Sequence, residues 1–513
     1  MTGAALEASP RKRVWKGLSA SALGQAAAAA QAIVLVPFFL HAWGVDLYGR
    51  WLALTAAVSY LTLLDLGGKS YIANLLAIRH AQGDEAGFRK DLSEGVSLFI
   101  FVSLGTCAVM LILLGVFLQT PFPGLGRPFM GWEAQVLGLI GASCLLAIPS
   151  GVYGSCFRAA GLFARGAVVR IFVVCLWIAV SIGLLQASVS LEAYAAATLG
   201  FGIASTSAVV WDTRRCIPGC KGLRIGLAPA RQGWAHLGGS LHFWVIALAE
   251  VAKIQGVVLV LAFIAPPAAV AAFATHRTLA SISGYTYVLV QGPVIPELSF
   301  LWAQQRHADL QRATFASVKL LMVAAGSVAL LLWLSAPLAY PLWTGGKLPL
   351  EPVLLLILLV QGVLAAGWST SAWALIATNH HRALTGWFLG NAAVTLVLAA
   401  WLGSTHGAAG VAAAGLIGDL LCGLVAFPAL GSFFLKLPPG RLYRELCAGA
   451  LTLLPLAGAA YLSRVLLNGW WSIAFFVLAG AGLAYPMLRK EPGVADAVRD
   501  FRHLAADWAR KAR

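Results

Sequence analysis

The sequence predicts an all-α polytopic membrane protein with about fourteen transmembrane helices. Three observations carry that reading. The 513 residues are 60% hydrophobic and only 11% charged, with a mean hydropathy of +0.82, which is more apolar surface than a soluble core of this size could hide. The apolar residues gather in stretches long enough, at roughly 1.5 Å per residue, to cross a bilayer as helices. Nearly all of the 36 Lys and Arg fall in alternate gaps between those stretches. One side of the membrane therefore holds the positive charge and is read as cytoplasmic, both termini included.

The elements follow in order. Arg11, Lys12, Arg13 and Lys16 precede a first span at 17–43. It follows a basic segment as a signal peptide would, yet it is long and has no convincing cleavage site, so an uncleaved helix is expected. Arg50 marks the first outside gap, and a span at 49–67 returns the chain to Lys69, Arg79, Arg89 and Lys90. Spans at 93–118 and 134–157 flank an outside gap with Arg127 and lead to Arg158, Arg165 and Arg170. Spans at 166–187 and 190–211 reach the longest interruption, Asp212 to Gln232, which holds Arg214, Arg215, Lys221, Arg224 and Arg231. Spans at 237–264 and 268–302 meet at Pro266-Pro267 and end before Arg306, Arg312 and Lys319. Spans at 314–343 and 350–378 flank Lys347 and end at Arg382. Spans at 383–403 and 407–431 lead to Lys436, Arg441 and Arg444, and those at 443–466 and 469–488 flank Arg464 before a basic tail.

The long interruption divides the chain. An N-terminal lobe at 1–211 has six spans, a basic cytoplasmic linker runs over 212–236, and a C-terminal lobe at 237–431 has six more. An extra helix pair at 432–488 and a cytoplasmic tail at 489–513 follow. A weak repeat supports two equivalent halves: Ala81-Gln82-Gly83-Asp84 with Phe88-Arg89 matches Ala303-Gln304-Gln305-Arg306 with Leu310 to Arg312. Arg158-Ala159-Ala160-Gly161 with Arg165 matches Ala377-Thr378-Asn379-His380 with Arg382. Both pairs lie about 220 residues apart. An even number of spans per half makes the repeats parallel. The extra pair is expected against the outside of the second lobe, either as a groove for a lipid tail or as plain packing.

A net charge of +16 would point to nucleic acid in a soluble protein. Here the basic residues sit in short gaps, as orientation signals and contacts for anionic lipid heads, and no nucleic acid is expected. Six Cys (107, 144, 156, 175, 422 and 447) fall in or at the ends of apolar stretches as small hydrophobes, and Cys216 and Cys220 share the linker. Neither a disulfide nor a metal site is expected of them. No phosphate loop, H-E-x-x-H or G-x-S-x-G run occurs, so no cofactor, metal or enzymatic activity is expected. His380-His381 reads as a solvated loop.

Within the spans the charged residues are few. Lys253 and Arg277 are cations at bilayer depth, which is costly unless they are paired or wet. Glu250 stands three residues before Lys253 on one helical face, and His276 precedes Arg277. These four read as a polar cavity that binds substrate; the alternative is a structural Glu250 to Lys253 pair with Arg277 snorkelling to the interface. Gln25 and Gln31 of the first span either line the cavity or bond to a neighbouring helix. Asp65 and Asp419 are the other acids well inside apolar stretches and are candidates for titration.

Several of these segments resemble a known family. Gln31 to Pro37-Phe38-Phe39-Leu40, Trp43-Gly44, Leu47-Tyr48-Gly49-Arg50-Trp51 and Tyr60-Leu61-x-Leu63-Leu64-Asp65-Leu66-Gly67 are similar to the polysaccharide exporters of the MOP superfamily, the Wzx-type flippases of lipid-linked oligosaccharides. So are Ile148-Pro149-Ser150-Gly151-Val152-Tyr153 and Pro267-x-x-Val270-x-x-Phe273-x-x-x-Arg277 through Ile295-Pro296-Glu297-Leu298. The resemblance implies two six-helix lobes in a V around a central cavity, in the bacterial inner membrane. It implies a substrate of undecaprenyl pyrophosphate carrying a sugar unit, moved to the periplasmic leaflet for lipopolysaccharide, O-antigen or exopolysaccharide, with the polymerase and export machinery as partners. Driving by protons, ions or a substrate gradient would follow. A multidrug exporter of the same superfamily and an integral-membrane glycan-processing enzyme are the rival readings; the first would need an acidic cation site, the second catalytic residues on large outside loops.

Overall fold

The computed structural model describes residues 10–65, 68–119, 131–234, 241–378, 380–467 and 469–478. Every regular element among them is helical. The gap around Gly124, the last span beyond residue 478, the tail at 489–513 and the side chain of Gln25 lie outside the described residues.

Ten of the described helices are long and apolar enough to cross a membrane, and two of these are double. Helix α1 (Pro10–Ser59) is interrupted at Gly44, φ 72°, and α13 (His381–Gly418) at Gly407, φ 58°. Only glycine adopts such backbone without steric cost, so these residues mark where the expected spans one and two, and eleven and twelve, part. With α10 (Pro267–Ala303), the helices account for every expected span but the last.

The chain forms two compact units, Met1–Thr278 with His381–Gly418, and Leu279–His380 with Asp419–Arg513. In the first unit α3 (Glu85–Gln119) and α6 (Leu191–Cys216) pack on α4 (Gly131–Ala159), while α5 (Phe163–Gln186) packs on α1. A short helix α2 (Gly68–Ala81) turns into α3 at Gly83, φ +71°. Asp84 caps α3 by accepting from the Gly87 N–H at 2.8 Å and pairs with Arg79 at 3.0 Å. At this charge-rich end Ile72, Leu76, Phe88, Leu92, Phe99, Ile148 and Cys156 form one buried core. At the other end Phe39, Trp43, Trp51 and Tyr194 meet ring to ring, with Trp43 donating to the Val189 carbonyl at 3.0 Å. Arg50 reaches Glu133 at 3.1 Å beside them.

The segment expected as a basic linker contains short helical elements. After α6 comes a 3-10 turn (Pro218–Cys220) and a short helix α7 (Leu227–Gly233). Ile217 and Cys220 enter the same core as Cys156, and α7 packs on α3. Ser93 donates to the Arg224 carbonyl, and the Gly226 N–H donates to Ser97 Oγ at 3.3 Å. Its Pro, Gly and Arg content read as a loop because composition does not reveal that Ile217, Cys220, Ala230 and Gly233 are each buried.

In the second unit α11 (His307–Thr344) packs against α12 (Pro352–Ala377) and α15 (Pro439–Leu466). Gly326 leaves room for Leu453 and Gly449 for Met322, the close small-residue contacts by which membrane helices associate. The first helix of the extra pair is therefore seated on α11. His380 is not a solvated loop residue: its ring lies 5.6 Å from Trp302 and 5.0 Å from Phe434.

Candidate functional site

The seventh span is not one regular helix. It runs as α8 (Leu241–Val251), a π segment (Ala252–Gly256) and α9 (Val257–Ile264). A π segment shifts the hydrogen-bond ladder by a residue, widens the helix and leaves a carbonyl for an outside donor. That donor is Arg277: its Nη1 donates to the Ile254 carbonyl at 2.6 Å. The guanidinium also lies over the Phe273 ring, 5.4 Å from its centre, one helical turn back on α10. Lys253 sits inside the π segment and Glu250 one turn before it, both half-buried and both engaged with other groups.

Packing holds the irregular turn in place. A side chain at Gly256 would meet Leu396 of α13 at 2.7 Å and the Tyr60 hydroxyl at 3.0 Å, so the turn presses directly on its neighbours. Tyr60 begins a 3-10 segment (Tyr60–Asp65), and Trp244 of α8 donates to the Leu63 carbonyl at 2.6 Å. The 3-10 segment thus runs antiparallel along the seventh span.

The residues flagged from the sequence lie in several separate places. Arg277 bonds to the backbone of the π segment in which Lys253 stands. His276 is fully buried, with Nδ1 2.7 Å from the Ala272 carbonyl of its own helix. Gln31 is half-buried on α1. Asp65 pairs with Lys69 at 3.3 Å, at the far end of the 3-10 segment from Tyr60.

Lys69 lies in the gap after the second expected span, on α2, which carries it against α4 with its Cε 3.0 Å from where a Gly151 side chain would start. The sequence signal for its pair with Asp65 was its spacing, four residues on, the distance of a helical ion pair.

The second unit holds its own irregular turn. A π segment (Asp419–Ala426) links α13 to α14 (Phe427–Leu435). Asp419 is buried and accepts from Gln361 Nε2 of α12 at 3.0 Å. Both π segments therefore carry an ionisable residue flagged from the sequence, and such turns are frequent at functional sites. Among the described residues no group of three or more His, Cys, Asp or Glu could hold a metal.

No family model matches the chain, and no curated protein matches it. Solved structures do. The lipid II flippase MurJ in an inward closed conformation aligns at 13% identity with a TM-score of 0.69, covering 92% of this chain and 98% of that one. An inward-facing multidrug resistance MATE family transporter of the MOP superfamily aligns at 14% identity and 0.63, covering 81% and 94%. A MATE P26A mutant aligns at 14% and 0.60, covering 84% and 97%. At such identity the likeness speaks for architecture. This chain is a multi-pass all-helical membrane protein with the fold of the MurJ flippase and the MATE transporters.

Proposed function

We propose that the chain is a flippase of the Wzx type. It moves undecaprenyl-pyrophosphate-linked oligosaccharide from the cytoplasmic to the periplasmic leaflet of a bacterial inner membrane by alternating access of two six-helix lobes, and it serves O-antigen or exopolysaccharide synthesis. The observation that carries the reading is that Arg277 reaches, through the Ile254 carbonyl, the π segment that carries Lys253. A pyrophosphate cannot cross hydrocarbon unaided, and two cations held by neighbouring helices at membrane depth offer it a charged shelter. Glu250 tunes their charge, and Asp65 and Asp419 are the candidates for coupling to protons or ions. His276 backs Arg277 from the buried side of its helix. The fold also houses MATE transporters, so a drug exporter is the competing reading, and buried Asp419 is what would favour it.

Reconstitution decides between them. Proteoliposomes loaded with a polyprenyl pyrophosphate bearing a short labelled glycan are expected to turn that glycan accessible to an impermeant lectin faster than empty liposomes do. No acceleration, together with uptake of a lipophilic cation under a proton gradient, would favour the exporter.

Orientation has its own test. Single cysteines near Arg89, Arg165, Arg224, Arg312 and Arg441 in a Cys-free background are expected to resist an impermeant thiol reagent in intact cells, while one near Lys347 is labelled, because positive gaps resist translocation. Labelling near Arg224 would reverse the topology.

A further inference from the structure

The segment after α6 is more than a cover for α3. Between Asp212 and Glu250 the sequence holds no acidic residue, while Lys221, Arg224 and Arg231 lie within it. Its contacts with α3 show how it lies. At one end Ser93 and Ser97 hold the Arg224 carbonyl and the Gly226 N–H. At the other, Gly233 packs so tightly that a side chain there would meet the Glu94 carbonyl at 2.9 Å and Leu98 Cβ at 3.0 Å. Both ends touch the same stretch of α3, residues 93–98, which rises only about 8 Å along the helix axis. The segment therefore crosses α3 instead of running along it, and since α3 is a membrane-crossing helix, the segment lies near the plane of the membrane surface.

Its two faces are unlike. Ala230 and Gly233 are buried against the protein. Leu227, Arg231 and Trp234, spaced four and three apart along one stripe, are exposed, Leu227 by 73% and Trp234 by 55%, and Ile225 before them by 49%. Exposed Leu, Ile and Trp interleaved with Arg, at the level where α3 passes from its polar first turns into its apolar run, have the composition of an interfacial helix.

We propose that residues 221–234 form an in-plane anchor in the headgroup layer of the charge-rich leaflet. Ile225, Leu227 and Trp234 enter the outer acyl region, and Lys221, Arg224 and Arg231 hold the phosphates of anionic lipids. The anchor pins the turn where α6 hands over to α8, and it does so whatever the protein carries.

Hydrogen exchange of the full-length protein tests this in nanodiscs of phosphatidylcholine alone and of equal parts phosphatidylcholine and phosphatidylglycerol. Exchange over 221–234 is expected to be slower in the anionic discs, with each basic residue near the surface adding up to about fivefold in local partitioning. K221Q/R224Q/R231Q should remove that dependence on lipid charge. L227S/W234S should speed exchange in both discs, although both side chains point away from the protein. Equal exchange of the unmodified protein in the two discs overturns the phosphate contact, without need of any variant. Unchanged exchange in L227S/W234S overturns the insertion. Neither outcome depends on the transport reading, since no substrate is present.

Discussion

Glycan export is expected to fall by at least tenfold when Lys253→Gln and Arg277→Gln are combined, while the protein still reaches the membrane. Hydrogen bonds to a charged partner are worth about 1.5–3 kcal/mol, so each cation lost from a pyrophosphate contact costs roughly one to two powers of ten in affinity. The two single variants should differ. Lys253 is half-buried in the π segment, and K253Q should lower export with little change in melting temperature. Arg277 also satisfies the Ile254 carbonyl, so R277Q should lower both export and stability, the second by about 1 kcal/mol because glutamine keeps one donor. Arg306→Gln, exposed and paired with Asp309 at 2.8 Å outside the spans, is the control and should change neither. Normal export by the double variant would remove these residues as substrate contacts.

Gly49→Ala is expected to destabilise the first unit by about 1–3 kcal/mol or more, the range for forcing atoms into a packed site. Its Cβ would lie 2.0 Å from the Pro267 carbonyl oxygen and 2.6 Å from the carbonyl carbon. Those are backbone atoms and cannot swing aside as a side-chain end can. Gly105→Ala is the matched comparison, since a Cβ there meets nothing within 4 Å and should be neutral or gain up to about 1 kcal/mol from helix propensity. Thermal unfolding in one detergent reads both. A Gly49→Ala variant that melts with wild type would mean that α1 and the turn at Ala265 to Pro267 do not approach this closely.

The two residues show how far the chain could be read without coordinates. Gly49 stood out in a string shared with a family, but nothing in its neighbours announced that Pro267, more than two hundred positions away, would press on it. Lys253 and Arg277 were visible as cations in apolar runs, because hydropathy is a local property and a charge in a span is conspicuous. That Arg277 would bond to the backbone of the segment carrying Lys253 was not visible. A π segment depends on packing as much as on composition, and this one is held where Gly256 admits Leu396 and Tyr60.

Two kinds of information thus divide the protein. The sequence alone determined its solvent and its helices and put nearly all the positive charge in alternate gaps, since bilayer insertion sums local transfer energies and loop charges over about twenty residues at a time. It also marked most of the helix ends: Gly44 and Gly407 sit at the expected gaps, where backbone of positive φ is needed. Only the tertiary structure decided what the exceptions do. It set Lys69 against α4, turned His276 into the core, closed residues 217–233 over α3 and seated α15 on α11. Each of those outcomes depends on the shape of a surface assembled from distant segments, and close packing is decided by partners that no single stretch of sequence contains.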